Sequence, residues 1–528
     1  MQLTIDLWIA ALLPILVLLA TIVGLKWGAP KAGAAAWFVA LAIGATLFGA
    51  DVVLLATASA KGLSLSLFVL TIIWSSVFLY NVIERLGGPG VIGHTMAGLV
   101  GDKLLQSLLI GWCFAGFLQG ITGFGLPVAV ATPLLVIVGI DPARAALMAL
   151  VGHSWAVTFG SMGSSYYTIQ LVTGLPRELI GPWMAFMFAM PIVTTGLGVA
   201  YVHDGARGVR QGLLPVILAG TTMSLAMWFL NMIGAPQISS AIPALLGSLV
   251  IWAIARWAPV GERRLPIMGG ARQGEASAQS MSFHLAFLPY YALVVLTVLS
   301  QVPLIRDGLA GLAWGLDYPA LHTGLGYTAE AVRSYAKISL FNHPAPLVMG
   351  AALVSYVVYR LRGHWRSGVG WEAARLTYKQ CVPTSVGIAT TVMMALIMND
   401  TGMTTLLAHR IAQATGSVFP LVSPFVGVLG CFTTGSNTTS NVMFGALQME
   451  TAKGLGISTV LVAAAQSIGG SLGSIIAPAK VMVGTAVVGL GGRESDVMRR
   501  AIPYCLLLVL LVGVECWLFV YVLFANVP

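Results

Sequence analysis

The chain has 528 residues, of which 58% are hydrophobic and 9% charged, with a net charge of +9 and a mean hydropathy of +0.90. Soluble domains carry about 25% charged residues, so this composition excludes a water-soluble globular protein and points to a polytopic membrane protein. The basic residues cluster in short loops between apolar runs, as the positive-inside rule describes, so the positive charge needs no nucleic-acid partner.

The first apolar run, Leu7 to Leu25, follows Asp6 with no basic residue before it and is long enough to span, which reads as a retained helix and not a cleaved signal. Windows of about 20 apolar residues place twelve spans, at 7–25, 33–57, 64–84, 143–175, 178–201, 213–233, 239–256, 284–303, 345–361, 382–400, 457–490 and 501–524. Two further segments, 104–139 and 417–450, are longer than one helix and are interrupted by polar motifs, GFLQGITGFG at 116–125 and TTGSNTTSNV at 433–442. A bilayer offers no water to free backbone N–H and C=O groups, so irregular backbone at that depth must be buried in protein or line a cavity. Each segment is therefore predicted to be a re-entrant hairpin, and a matched pair of interruptions points to a transporter's substrate site.

Four basic loops, carrying Arg207 and Arg210, Arg256 to Arg272, Arg360 to Lys379, and Arg493 to Arg500, are predicted to be cytoplasmic, which places both termini outside. The first hairpin then enters from the cytoplasm and the second from outside, as an inverted-topology repeat requires. An offset of 317 carries Ile140 onto Ile457, Gln119 onto Ser436 and Gly120 onto Asn437. The expected organisation is an all-α polytopic protein with about 12 transmembrane helices and two re-entrant hairpins: an N-terminal half at 1–257, a cytoplasmic linker at 258–283 and a C-terminal half at 284–528. The segment 304–344 is the longest outer one, and its AEAVRSYAKI run is expected to form an interfacial helix. Cys113, Cys381, Cys431, Cys505 and Cys516 have no paired spacing and read as small core hydrophobes.

A hairpin tip presents helix N-termini, whose free N–H groups and positive dipole ends attract an anion. Gly120, Gly123, Gly125 and Gly435 let backbone approach a small ligand, and Thr122, Thr433, Thr434, Ser436, Asn437, Thr438, Thr439 and Asn441 add hydrogen-bonding groups for a carboxylate and its hydroxyl. Small and hydroxyl residues also serve as ordinary helix-packing devices in membranes; two clusters at matched tips favour function. Three ionisable groups lie deep in apolar segments: Lys480 in IIAPAKVMV, His153 in LVGHSWAV and Asp400 in ALIMNDTGM. Lys480 is expected to supply fixed positive charge near a substrate carboxylate, with Asp400 or His153 either pairing with it or carrying a coupling proton. The plainer alternatives are Asp400 at a helix end in water, His153 hydrogen-bonded in the core, and Lys480 snorkelling to an interface. Trp155, Tyr166 and Tyr167 form a secondary set that could wall the site.

The segments GWCFAGFLQGITGFGLPVAVATPLLV, SPFVGVLGCFTTGSNTTSNVMFGALQ and VGLGGRESD resemble the signature segments of the L-lactate permease family. That resemblance implies a carrier of lactate or glycolate in the bacterial inner membrane, commonly by proton symport, with hairpin tips meeting at the substrate site. Similarity to permeases with Ser-Asn-Thr tips that bind carboxylate extends to Ser436, Asn437 and Thr438. The chain departs from the family where Glu and Asp are usual, carrying the amides Gln119 and Asn437, which puts proton coupling at those two positions in doubt.

The function expected is a secondary active transporter for small monocarboxylate or 2-hydroxycarboxylate anions such as L-lactate or glycolate, ion-coupled by alternating access, with the lipid bilayer as its surroundings and no cofactor, metal or nucleic acid. The alternatives are a sodium-coupled or uniporting carrier of a dicarboxylate or sulfonate, an integral membrane enzyme using His153 and Ser154 or a nearby carboxylate, and a channel. Adjacent helical residues point about 100° apart, which speaks against that enzyme pair, and neither an H-E-x-x-H motif nor a phosphate loop occurs.

Overall fold

The computed structural model describes residues 5–123, 125–257, 281–308, 311–341 and 343–528. The interhelical linker expected at 258–283 lies, through residue 280, outside the described residues, as do Arg263, Arg264 and Arg272. Among the described residues, 11 helices are long and apolar enough to cross a membrane, or up to 12 if the bent pair Pro142–Ala156 and Gly160–Thr173 counts as one span.

Several boundaries differ from the twelve expected. The runs at 33–57 and 64–84 form Ala29–Thr46 and one continuous helix, Val52–Arg85. Asp51 starts the second by accepting the Leu54 N–H at 2.8 Å, and no proline follows to stop it. Lys61 and Gly62, which fall between the two expected spans, therefore sit within a helix. This helix packs antiparallel against Val369–Asp400: the bare Cα of Gly62 lies against the Met393 backbone, Trp74 Nε1 donates to Ser385 Oγ at 2.9 Å, and Asn81 Nδ2 donates to Thr377 Oγ1 at 2.9 Å. The 44 residues of Ala189–Met232 would reach about 66 Å if straight, far beyond one crossing. The helix breaks at Asp204 and Gly205, which divides the spans expected at 178–201 and 213–233. Helix Met403–Thr415 was missed, because His409, Arg410 and Gln413 interrupt its apolar window.

The AEAVRSYAKI run is not a helix. Val332–Ser339 is a strand, paired antiparallel with Ala313–Tyr318, with Tyr318 opposite Val332 and Ala313 opposite Ser339. Val332, Tyr335 and Ile338 suit a pleated, half-buried surface, and positive φ at Ser334 and Ala336 accompanies the register shifts of the ladder.

The two interrupted segments are helical hairpins. In the first, the limb Lys103–Ile121 ends at Thr122 and Gly123, and the chain resumes at Gly125 and returns as Leu126–Ile137 against its own descending limb. In the second, Phe419–Thr434 turns at Gly435 and Ser436 and returns as Asn437–Leu455. Hydrogen bonds from Ser440 Oγ to Gly427 O and from Gln448 Nε2 to Ser423 O, both 2.8 Å, clip its limbs together. Each hairpin is followed by a broken helix: Pro142–His153 then Gly160–Thr173, and Thr459–Gly473 then Pro478–Ala486. The offset of 317 holds for these, since Asp141 and Ser458 are both N-caps. It also relates Ser154 to Ser471, which meet directly, Ser471 Oγ donating to Ser154 O at 2.6 Å. At the tips the offset fails: Gly123 and Gly435, both with positive φ, are 312 apart, so Gln119 is not the counterpart of Ser436.

Candidate functional site

Both tips, both broken helices and the paired helices Val52–Arg85 and Val369–Asp400 converge on a cavity of about 270 Å³. The second tip supplies most of its polar wall. Gly435 turns the chain with φ +74, and Ser436 caps the return helix by accepting the Thr439 N–H at 3.2 Å. The helix N-terminus thereby faces the cavity beside Thr434, Asn437 and Thr438.

The tip is held by the first broken helix. Thr438 and Ser165 hydroxyls meet at 2.9 Å, Asn437 Nδ2 donates to Thr158 Oγ1 at 3.0 Å, and Asn441 Nδ2 donates to Ser165 O and Ser467 Oγ at 3.0 and 2.9 Å. Asn441 is buried behind the wall as a brace and does not line the cavity. The break itself is unusual: Ser161, Met162 and Gly163 are consecutive left-handed residues. Two non-glycine residues in that region are strained, and such strain persists where surrounding contacts enforce it. Here it brings Ser161, Ser164 and Ser165 to the cavity. From the first hairpin, Gln119 lines the opposite side, its amide pressed against the bare Cα of Gly160. The oxygens Gln119 Oε1, Asn437 Oδ1 and Asn441 Oδ1 are buried and have no hydrogen-bond partner in the protein.

Lys480, 7% exposed, brings the positive charge. It is the only ionisable side chain among the described residues lining the cavity. Its Nζ lies 3.3 Å from His153 Nε2, and Ser474 Oγ lies 3.4 Å from the same nitrogen. His153 Nδ1 sits 2.8 Å from Ala149 O. A carbonyl only accepts, so Nδ1 carries the hydrogen and Nε2 offers its lone pair to the lysine. Lys480 does not snorkel, and of the two partners expected for it the structure selects His153.

Other expected residues fall elsewhere. Gly120 packs against Ala241 and the Thr122 hydroxyl donates to Leu118 O at 3.0 Å, so both serve packing. Gly123 lies against Ser161 at the cavity's back. Trp155 is buried against Gly116. Tyr166 and Tyr167 line a separate cavity of about 520 Å³ with Arg177 and Gln301, where Tyr167 Oη donates to Gln237 Oε1 at 3.0 Å. Ser154 Oγ donates to Val151 O at 2.7 Å, so it is not presented to His153 as a nucleophile. Asp400 is neither in water nor near Lys480: its Oδ2 pairs with Lys61 Nζ at 2.8 Å. That pair lies twelve residues along each helix from Ile73 and Ile388 of the cavity wall, about 18 Å away.

The sequence missed Ser161, Ser164, Ser165 and Thr384 as wall residues, although GSMGSS at 160–165 interrupts an apolar run as the tips do. Among the described residues, no group of three or more His, Cys, Asp or Glu is placed to hold a metal ion. The arrangement can hold a small anion between an ammonium group and a helix N-terminus, with amide oxygens left to accept from a ligand hydroxyl.

The family model described as L-lactate permease matches residues 8–523. The chain is 30% identical over 549 residues to an L-lactate permease of Escherichia coli, covering 99% of this chain and 98% of that one. It is 30% identical over 542 residues to glycolate permease GlcA of the same organism, covering 97% and 96%. A solved structure, the YdaH transporter of Alcanivorax borkumensis, aligns with a TM-score of 0.43 at 17% identity, covering 85% of this chain and 84% of that one.

Proposed function

We propose, since this chain belongs to the L-lactate permease family, that it is a secondary carrier of small 2-hydroxymonocarboxylates such as L-lactate or glycolate, exposing one site alternately to the two sides of a bacterial inner membrane. The observation that carries the reading is the lone ammonium of Lys480 in a polar cavity lined by a helix N-terminus. The substrate carboxylate sits between Lys480 Nζ and the backbone N–H groups at Asn437 and Thr438. Its 2-hydroxyl donates to Gln119 Oε1 or Asn437 Oδ1, which otherwise stay buried and unpartnered. One cation and a volume of about 270 Å³, below the roughly 300–1,000 Å³ typical of drug-sized ligands, favour a small monoanion over a dicarboxylate.

In this reading the halves 1–257 and 284–528 form an inverted-topology repeat with both termini outside, and transport is coupled to an ion. Uptake of labelled L-lactate into proteoliposomes under an inward proton gradient, with and without sodium, tests it. Gradient-driven uptake competed by glycolate but not by succinate supports the reading; uptake that requires sodium favours the sodium-coupled alternative. No lactate uptake by folded protein under either gradient would sink it.

A further inference from the structure

We propose that Lys480 is the carrier's proton site: it takes up one proton with each anion and gives it up when the anion leaves, while His153 is the positioning residue that holds it in both states. The inference rests on the carrier reading above and adds how the coupling is built.

The first observation is electrostatic. Among the described residues lining the cavity no carboxylate accompanies Lys480. The titratable groups facing it are His153 from Pro142–His153 and the Cys431 thiol from Phe419–Thr434. Behind Cys431 stands Cys505 of Glu494–Leu518, whose thiol donates to Leu472 O at 3.5 Å. Among the described residues, no facing group carries a compensating negative charge. An anion in the cavity makes the loaded site neutral. After release, a protonated Lys480 would be a single unpaired cation in a site that must cross the bilayer midplane, the least favourable species to move. Loss of the proton makes the empty site neutral as well.

The second observation is geometric. The partner of Lys480 is the lone pair of His153 Nε2 at 3.3 Å, fixed by Nδ1–H donating to Ala149 O at 2.8 Å. Nζ keeps at least two hydrogens whether it is an ammonium or an amine, so the Nζ–H to Nε2 bond survives discharge without rearrangement. A carboxylate partner, such as Asp400 is for Lys61 at 2.8 Å, would favour the charged form of the amine; the imidazole lone pair does not.

On the releasing side the anion departs, one N–H bond of the ammonium breaks, the electron pair stays on Nζ, and the proton passes to water in the open cavity. On the loading side Nζ takes a proton from water as the next anion binds. One proton and one monoanion move together, and no net charge crosses.

The test uses the full chain in proteoliposomes, with the pH difference and the membrane potential set independently and labelled L-lactate as probe. Wild-type net uptake is expected to follow the pH gradient and to change less than about twofold when the potential is reversed, because no net charge moves. Lys480→Arg stays cationic, so its ratio of net uptake to lactate–lactate exchange is expected to fall roughly tenfold or more: the loaded site crosses and the empty one does not return. His153→Asp, which gives Lys480 a carboxylate partner, leaves the empty site neutral without loss of the proton, so any remaining net uptake is expected to lose its dependence on the pH gradient and to be accelerated by an inside-positive potential. Wild-type uptake accelerated by an inside-positive potential would overturn the proposal, and so would a wild-type ratio in Lys480→Arg. If Lys480→Arg fails to fold, the wild-type potential measurement decides alone. Absence of both uptake and exchange in the wild type would remove the carrier reading itself, and this inference with it.

Discussion

Lys61 and Lys480 are both buried, at 5% and 7% exposure, in segments read as membrane-spanning, yet they are built in opposite ways. Lys61 is closed by the carboxylate of Asp400 at 2.8 Å, between two long packed helices, with the Tyr335 ring 6.0 Å from its nitrogen. Among the described residues, Lys480 has only neutral partners and faces a cavity. A buried cation matched by an anion is a structural tie. In the carrier reading, a buried cation left unmatched, beside a helix N-terminus and empty space, is where an anion that is not part of the protein would bind.

Breaking the tie should have the largest effect on stability. Asp400→Ala leaves Lys61 charged, buried and unpaired, and is expected to destabilise the fold by about 3–5 kcal/mol, seen as a fall in thermal midpoint in detergent. Lys61→Met combined with Asp400→Leu removes both charges and should recover most of that loss. A double mutant as unstable as Asp400→Ala would show that the pair does more than satisfy itself. At the other lysine the effect should move from stability to transport. Lys480→Ala removes a charge-assisted contact to the anion, worth about 2 kcal/mol or roughly 30-fold in apparent affinity, while the thermal midpoint stays the same or rises. Uptake and unfolding measured on one preparation check both halves of that statement.

Smaller effects sharpen the boundary of the site. A Cβ at Gly470 would run into Asn437 Oδ1, so Gly470→Ala should push the tip away from the broken helix and weaken lactate uptake by about 1–3 kcal/mol, with Gly491→Ala as a control in open space. Tyr167→Phe deletes the bond to Gln237 and is expected to cost about 1 kcal/mol of stability with lactate affinity unchanged, because Tyr167 lines the other cavity. A clear loss of affinity in Tyr167→Phe would mean that the two cavities act as one.

What was legible in the sequence was whatever disturbs a local pattern. Glycines and hydroxyls in an apolar run marked both hairpin tips, and a lysine and a histidine in apolar runs marked the dyad. The offset of 317 holds where capping recurs, at Asp141 and Ser458, and fails at the tips, where a five-residue difference in limb length breaks the register. Pairing over long separations was not legible. Asp400 and Lys61 are 339 residues apart, and the gap between the spans expected at 33–57 and 64–84 is a stretch of small and polar residues inside one helix that packs closely on another. The strand at Val332–Ser339 depends on its partner at Ala313–Tyr318, which no window over AEAVRSYAKI contains. Tyr166 and Tyr167 follow Ser164 and Ser165 directly, and neighbours on one helix open onto different cavities.

The central claim is that the unmatched lysine, and not the matched one, serves the anion. The most direct measurement is uptake of labelled L-lactate in one proteoliposome series comparing wild type, Lys480→Gln and the double replacement Lys61→Met with Asp400→Leu, each normalised to folded protein. The account predicts that the double replacement still accumulates lactate and that Lys480→Gln does not. Lactate accumulation that survives Lys480→Gln and disappears with the Lys61 and Asp400 pair would contradict it.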